Sequence, residues 1–142
     1  MAKILIADDE PKLGRVLSGM LEAQGDEVER VSGGKAALDR LATARYDVVL
    51  TDLRMPDVDG LTVLQEARRL QPTVDVILMT AFASAETAVE ALRRGAVDYL
   101  IKPFSMDELR IRVRRLTEKR ALEGRTRELQ QQLGGGPRFE GI

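Results

Sequence analysis

The chain contains no cysteine and no histidine among its 142 residues. Without cysteine there is no disulfide framework, no thiolate metal centre and no cysteine nucleophile, which fits a reducing compartment. Without histidine, Ser-His-Asp and Cys-His mechanisms are excluded, as is a phosphohistidine carrier; any phosphoryl group must come from outside this chain. Neither sign of charge dominates: 22 Lys+Arg stand against 23 Asp+Glu, a net charge of -1. That balance gives no global argument for binding nucleic acid or an anionic membrane. No apolar run reaches the length needed to span a bilayer, and the start MAKILIADDE lacks the parts of a secretory signal. The expectation is a soluble cytoplasmic protein without membrane contact, one domain with a short appendage.

What is present is an alternation of two periodicities. Apolar runs of strand length at about 3–7, 27–31, 47–51, 75–79 and 97–101 are separated by helical patterns at about 10–24, 34–43, 59–70, 84–94 and 106–133. This predicts an α/β fold, a doubly wound five-stranded parallel sheet. The first, third and fourth runs are almost continuous in Ile, Val and Leu, as central strands require, whereas DEVERV alternates and reads as an edge. Gly25 and Gly95 stand where left-handed caps end helices. Ser84 is a candidate N-cap, and Ser105 with Glu108 a capping box. Gly14 and Gly19 weaken the first helix by about 1 kcal/mol each, so packing must decide it.

Polar residues follow the apolar runs at their carboxyl ends: Asp8 and Asp9, Asp52, Thr80 and Lys102. In an open parallel sheet those ends share one crevice, so the residues converge. Taken singly each is ordinary, since Asp forms turns, Thr suits strands and Lys is a surface charge. Together they form a site. Two carboxylates about 4 Å apart repel by roughly 4 kcal/mol at an effective dielectric of 20, so the cluster calls for a cation, and Mg2+ suits hard oxygen ligands. One carboxylate can then act as a nucleophile and form an acyl phosphate. Lys102, its turn fixed by Pro103, supplies a charge for the phosphoryl group, and Thr80 a hydroxyl.

From about residue 2 to 118 the sequence resembles the receiver domain of bacterial two-component response regulators. The resemblance rests on DDE at 8–10, TDLRMPDVDG at 51–60 with the D-x-x-M-P-x-x-x-G spacing from Asp52 to Gly60, TAF at 80–82 and KPF at 102–104. It implies a flavodoxin-like (βα)5 fold with strand order 2-1-3-4-5. It implies that Asp52 accepts a phosphoryl group from a histidine kinase, with Asp8, Asp9, Asp52 and the backbone carbonyl of Arg54 holding Mg2+. Thr80 and Lys102 would engage the phosphoryl oxygens. The resemblance further implies that Tyr99 is the switch aromatic, and that Arg54 and Phe82 flank the reacting group and affect its lifetime. The domain is expected to be a phospho-acceptor, not an enzyme. Its output is expected through the fourth helix, fifth strand and fifth helix, with Ala88, Leu92, Arg112 and Arg115 at a homodimer interface.

Beyond residue 118 the last helix continues as a polar stretch over 119–133. Leu122 and Leu129 lie one heptad apart, as do Thr126 and Leu133. Gly124 interrupts the seam, so a short coiled coil and a solvated linker both remain open. GGGP at 134–137 breaks the helix as a flexible hinge. RFEGI at 138–142 is similar to the opening of the AAA+ ATPase domain of sigma-54-dependent activators. That likeness implies a regulatory portion cut before its ATPase, touching DNA only through C-terminal domains. Gly33-Gly34-Lys35 lacks the rest of a Walker A loop. A degenerate or stand-alone receiver acting as a dimerisation module is one alternative. An aspartate-nucleophile phosphatase is weakened by Arg54, which stands where a second acid is needed, and a flavin protein by the acidic rim.

Overall fold

The computed structural model describes residues 2–81 and 84–132, with 123–132 described by their backbone. Five strands, β1 (Lys3–Ala7), β2 (Glu27–Val31), β3 (Val48–Asp52), β4 (Asp75–Thr80) and β5 (Asp98–Ile101), alternate with five helices. These are α1 (Pro11–Ala23), α2 (Gly34–Thr43), α3 (Gly60–Leu70), α4 (Ala85–Arg93) and α5 (Met106–Gln132). All pairings are parallel, in the order β2-β1-β3-β4-β5. The expected fold class and edge position of β2 are both found.

Period-two alternation sends neighbouring residues to opposite faces, which splits the core in two. Leu5, Val49, Val76 and Leu78 meet Ala37, Leu41, Val63, Leu64, Ala67 and Ala91 of α2, α3 and α4. Ile4, Ile6, Val48, Leu50, Ile77 and Met79 meet Leu17 and Leu21 of α1 and Leu109, Val113 and Leu116 of α5. Each Val, Leu, Ile or Met side chain among them contributes about 1.5–3 kcal/mol by leaving water. That burial is what holds α1 together despite Gly14 and Gly19.

Local chemistry sets the helix ends. Gly25 and Gly95 take φ of 97° and 107°, as the expected caps require. Ser84 Oγ accepts from Thr87 N at 3.1 Å to open α4. Ser105 Oγ accepts from Glu108 N at 2.9 Å, but the Glu108 carboxylate accepts from Arg112 Nη2 at 3.1 Å. The expected capping box is therefore half formed, because an i,i+4 cation competes for the acid. Gly124 lies within α5, whose helix continues through it to Gln132. The expectations for Phe82, Leu133, GGGP at 134–137 and RFEGI at 138–142 lie outside the described residues, as do those for the side chains of Thr126 and Leu129.

Candidate functional site

The sheet order puts β1 and β3 side by side, so the residues closing them meet above the sheet. Asp52 is the last residue of β3, and Asp8 follows β1 directly. Gly60 permits the turn after Asp52 to fold close: a Cβ there would lie 2.3 Å from the Asp52 carbonyl oxygen. Gly60 N donates to Leu53 O at 2.7 Å and Leu53 N to Met79 O at 2.9 Å, which pins the loop to β4. The glycine of the D-x-x-M-P-x-x-x-G pattern is thus a steric requirement of the site.

Lys102 reaches into the crevice from the end of β5. Its Nζ lies 3.0 Å from Asp52 Oδ2, 3.1 Å from Glu10 Oε1 and 3.8 Å from Asp8 Oδ2. Its amide donates to Thr80 O at 2.8 Å, and the Lys102–Pro103 peptide is cis. Burial works against the Lys102 charge, but the hydrogen bond and charge of Asp52, with Asp8 and Glu10, outweigh it and hold its pKa above the ordinary lysine value. Burial pushes the Asp8 carboxyl up; the Glu10 amide and Lys102 counter it, while Asp52 adds to it. Asp8 Oδ1 accepts from Glu10 N at 2.8 Å, whereas its Oδ2 is buried without a hydrogen-bond partner.

Asp8, Glu10 and Asp52 each offer an oxygen, and these lie within 4.8 Å of one another. Asp9 is exposed and outside this group. The gathered trio therefore differs from the expected Asp8, Asp9 and Asp52. Glu10, itself exposed, is the extended N-cap of α1, and its carboxylate accepts from Lys102 Nζ at 3.1 Å. Hard oxygens around an unpartnered buried carboxylate oxygen suit a divalent cation such as Mg2+.

Thr80 is fully buried, one residue past Met79, the register partner of Asp52. Tyr99 sits beside Leu78 in register, half-buried against the α2–α4 side of the core. Burial pushes its phenol up, and the Ser84 backbone beside the hydroxyl offsets part of this. Arg54 is exposed on the loop after β3. Of the expected interface residues, Leu92 and Arg115 are exposed and Ala88 half-buried. Arg112 is held within the chain, 2.5 Å from Asp98 Oδ2.

One further residue of the site loop carries a role that composition and spacing did not reveal. Asp57 Oδ1 accepts from Gly34 N at 3.1 Å and Val58 N at 2.7 Å, and its Oδ2 from Lys35 N at 3.0 Å. The amides of Lys35 and Val58, with that of Gly34, hold its carboxyl below the usual carboxylate range. The Gly33-Gly34 pair was its only sequence signal.

Residues 4–114 match the family described as the response regulator receiver domain. The chain is 47% identical over 131 residues to the regulatory protein AtoC of Escherichia coli K12, covering 92% of this chain and 28% of that protein. It is 42% identical over 106 residues to the transcriptional regulatory protein ZraR of the same organism, covering 75% of this chain and 24% of that protein. It thus spans about a quarter of the length of these relatives. The crystal structure of the response regulator TrrA from Thermotoga maritima in complex with Mg2+ and beryllium fluoride superposes with a TM-score of 0.73 at 33% identity, covering 82% of this chain and 99% of that one.

Proposed function

We propose, from the premise that this chain belongs to the response regulator receiver domain family, that Asp52 accepts a phosphoryl group from a sensor histidine kinase. The observation that carries this reading is the junction of Asp52, Asp8 and Glu10 with Lys102 at the carboxyl edge of the sheet. The Asp52 carboxylate attacks the donor phosphorus, the bond from phosphorus to the kinase nitrogen breaks, and an acyl phosphate forms on Asp52. Lys102 holds a positive charge beside the oxygens of that group, and Thr80 presents a hydroxyl from the end of β4.

Asp8, Asp52 and the Arg54 carbonyl would hold Mg2+, with Asp9 or Glu10 as the further acid. The ion supplies neutralisation of the crowded carboxylates and of charge on the transferring group. A phosphoryl group brings up to two negative charges and three acceptors to the β4 and β5 ends, biasing Thr80 and Tyr99. The output is self-association through α4, β5 and α5, where Val89, Leu92 and Ile101 are 51%, 54% and 52% exposed. Residues 1–118 form the receiver, 119–133 a helical linker, and 134–142 lead toward an attached ATPase of a sigma-54-dependent activator.

Intact mass after incubation with Mg2+ and acetyl phosphate tests the central step. The mass of one phosphoryl group is expected on the parent chain and none on Asp52→Asn. Equal uptake by both chains, or none by either, would overturn the assignment.

A further inference from the structure

We propose that Asp57 is a positioning residue for the cation site, because it fastens the loop carrying the Arg54 carbonyl to the amino end of α2. The inference rests on the reading that this loop contributes to Mg2+ binding. The loop over 53–59 is held at its ends by Leu53 N to Met79 O and Gly60 N to Leu53 O. Between those ends, Asp57 crosses to another element and accepts from the first two amides of α2, Gly34 and Lys35, at 3.1 and 3.0 Å. The N-cap of α2 is Gly33, which has no side chain to offer, so a carboxylate 22 and 23 residues away from the capped amides in sequence supplies the cap.

The fit is tight from both sides. A Cβ at Gly34 would fall 2.3 Å from Val58 O and 2.7 Å from Val58 Cβ, and one at Gly33 would fall 3.0 Å from Asp57 Oδ2. Two glycines therefore let α2 press its first turn against the middle of the loop. A loop so braced keeps its carbonyls in place before a cation arrives, and a loop released from α2 populates the binding arrangement less often, weakening apparent affinity by that fraction.

The test compares Mg2+ affinity, by calorimetry on the whole chain, for the parent, Asp57→Ala and Asp57→Asn. Asp57→Ala is expected to bind Mg2+ about 3- to 10-fold more weakly, the scale of a lost cap. Asp57→Asn keeps one acceptor oxygen but turns an NH2 toward the second α2 amide, and is expected to fall between the parent and Asp57→Ala. Coupling is reciprocal, so Mg2+ should slow hydrogen exchange at the Gly34 and Lys35 amides of the parent chain. This last measurement requires no variant to fold. Unchanged affinity in a folded Asp57→Ala, or no change in exchange at Gly34 and Lys35 under saturating Mg2+, would overturn the inference while leaving the site itself intact. A parent chain that binds no Mg2+ would overturn both.

Discussion

Asp8 is 4% exposed, has one carboxylate oxygen without a hydrogen bond, and faces Asp52 and Glu10 across the crevice. Lys102 is shared among all three acids, so its single charge is spread over three carboxylates. Removing the charge of Asp8 relieves the repulsion among them and keeps Lys102 paired with Asp52. Asp8→Asn should therefore raise stability in Mg2+-free buffer by about 1 kcal/mol, the low end for replacing a poorly compensated buried charge. It should also abolish the stabilisation that Mg2+ gives the parent, which amounts to about 2.7 kcal/mol at a hundredfold excess over Kd. Urea melts of both chains with and without Mg2+ check this; lower stability of Asp8→Asn without Mg2+ would contradict the electrostatic account. Asp8, Asp52, Thr80 and Lys102 were legible in the sequence because a strand end fixes where a residue sits. Glu10 was less so, since its direction depends on the N-cap geometry of α1 and on Lys102, a residue 92 positions away.

Elements were legible to within a residue or two wherever hydrophobic period and punctuation agreed, as at Gly25, Gly95 and Ser84. Cross-element ties were not, because they pair residues distant in sequence. On β2 the alternating charges mark an edge with one wet face, yet Glu29 also anchors that edge. Its Oε1 accepts from Tyr46 Oη at 2.6 Å and its Oε2 from Arg40 Nη2 at 2.9 Å, while Lys3 Nζ stands 3.8 Å away. The Tyr46 hydroxyl, against the opposing effect of burial and with the help of Arg40 and Lys3, lowers the pKa of Glu29. A carboxyl lowered on folding contributes stability above its unfolded pKa, about 4.3, and loses it as pH falls through the folded value. The folded chain should thus lose stability from this group below about pH 4.3, and Tyr46→Phe should flatten that loss while costing about 0.5–1.5 kcal/mol at pH 7. Urea midpoints across pH 3 to 7 provide the check, with parallel curves for the two chains counting against the network.

At the scale of the whole molecule the two ends of the sheet have separate tasks. The carboxyl end gathers Asp8, Glu10, Asp52 and Lys102, and at the amino end Arg120 fastens α5. Its Nε lies 3.1 Å from Asp75 Oδ2, its Nη1 3.4 Å from Asp47 Oδ1, and its Nη2 donates to Thr73 O. The apolar positions of the sequence give no hint of this clamp, which falls where α5 turns polar, beyond Leu116. Two residues further along the helix, Leu122 is 61% exposed. On α4 and around β5, Val89, Leu92, Val97 and Ile101 are exposed apolar residues, and Arg115 of α5 is exposed. If a second copy covers this face, a charge at its centre blocks association without touching the crevice. On the proposed phospho-acceptor reading, Leu92→Glu should therefore take up a phosphoryl group to the same extent as the parent, yet sediment as a monomer both with and without beryllium fluoride. The parent should change its association state between those conditions. Association of Leu92→Glu to the same extent as the parent would place the contact elsewhere, and a parent that is monomeric throughout would remove self-association as the output.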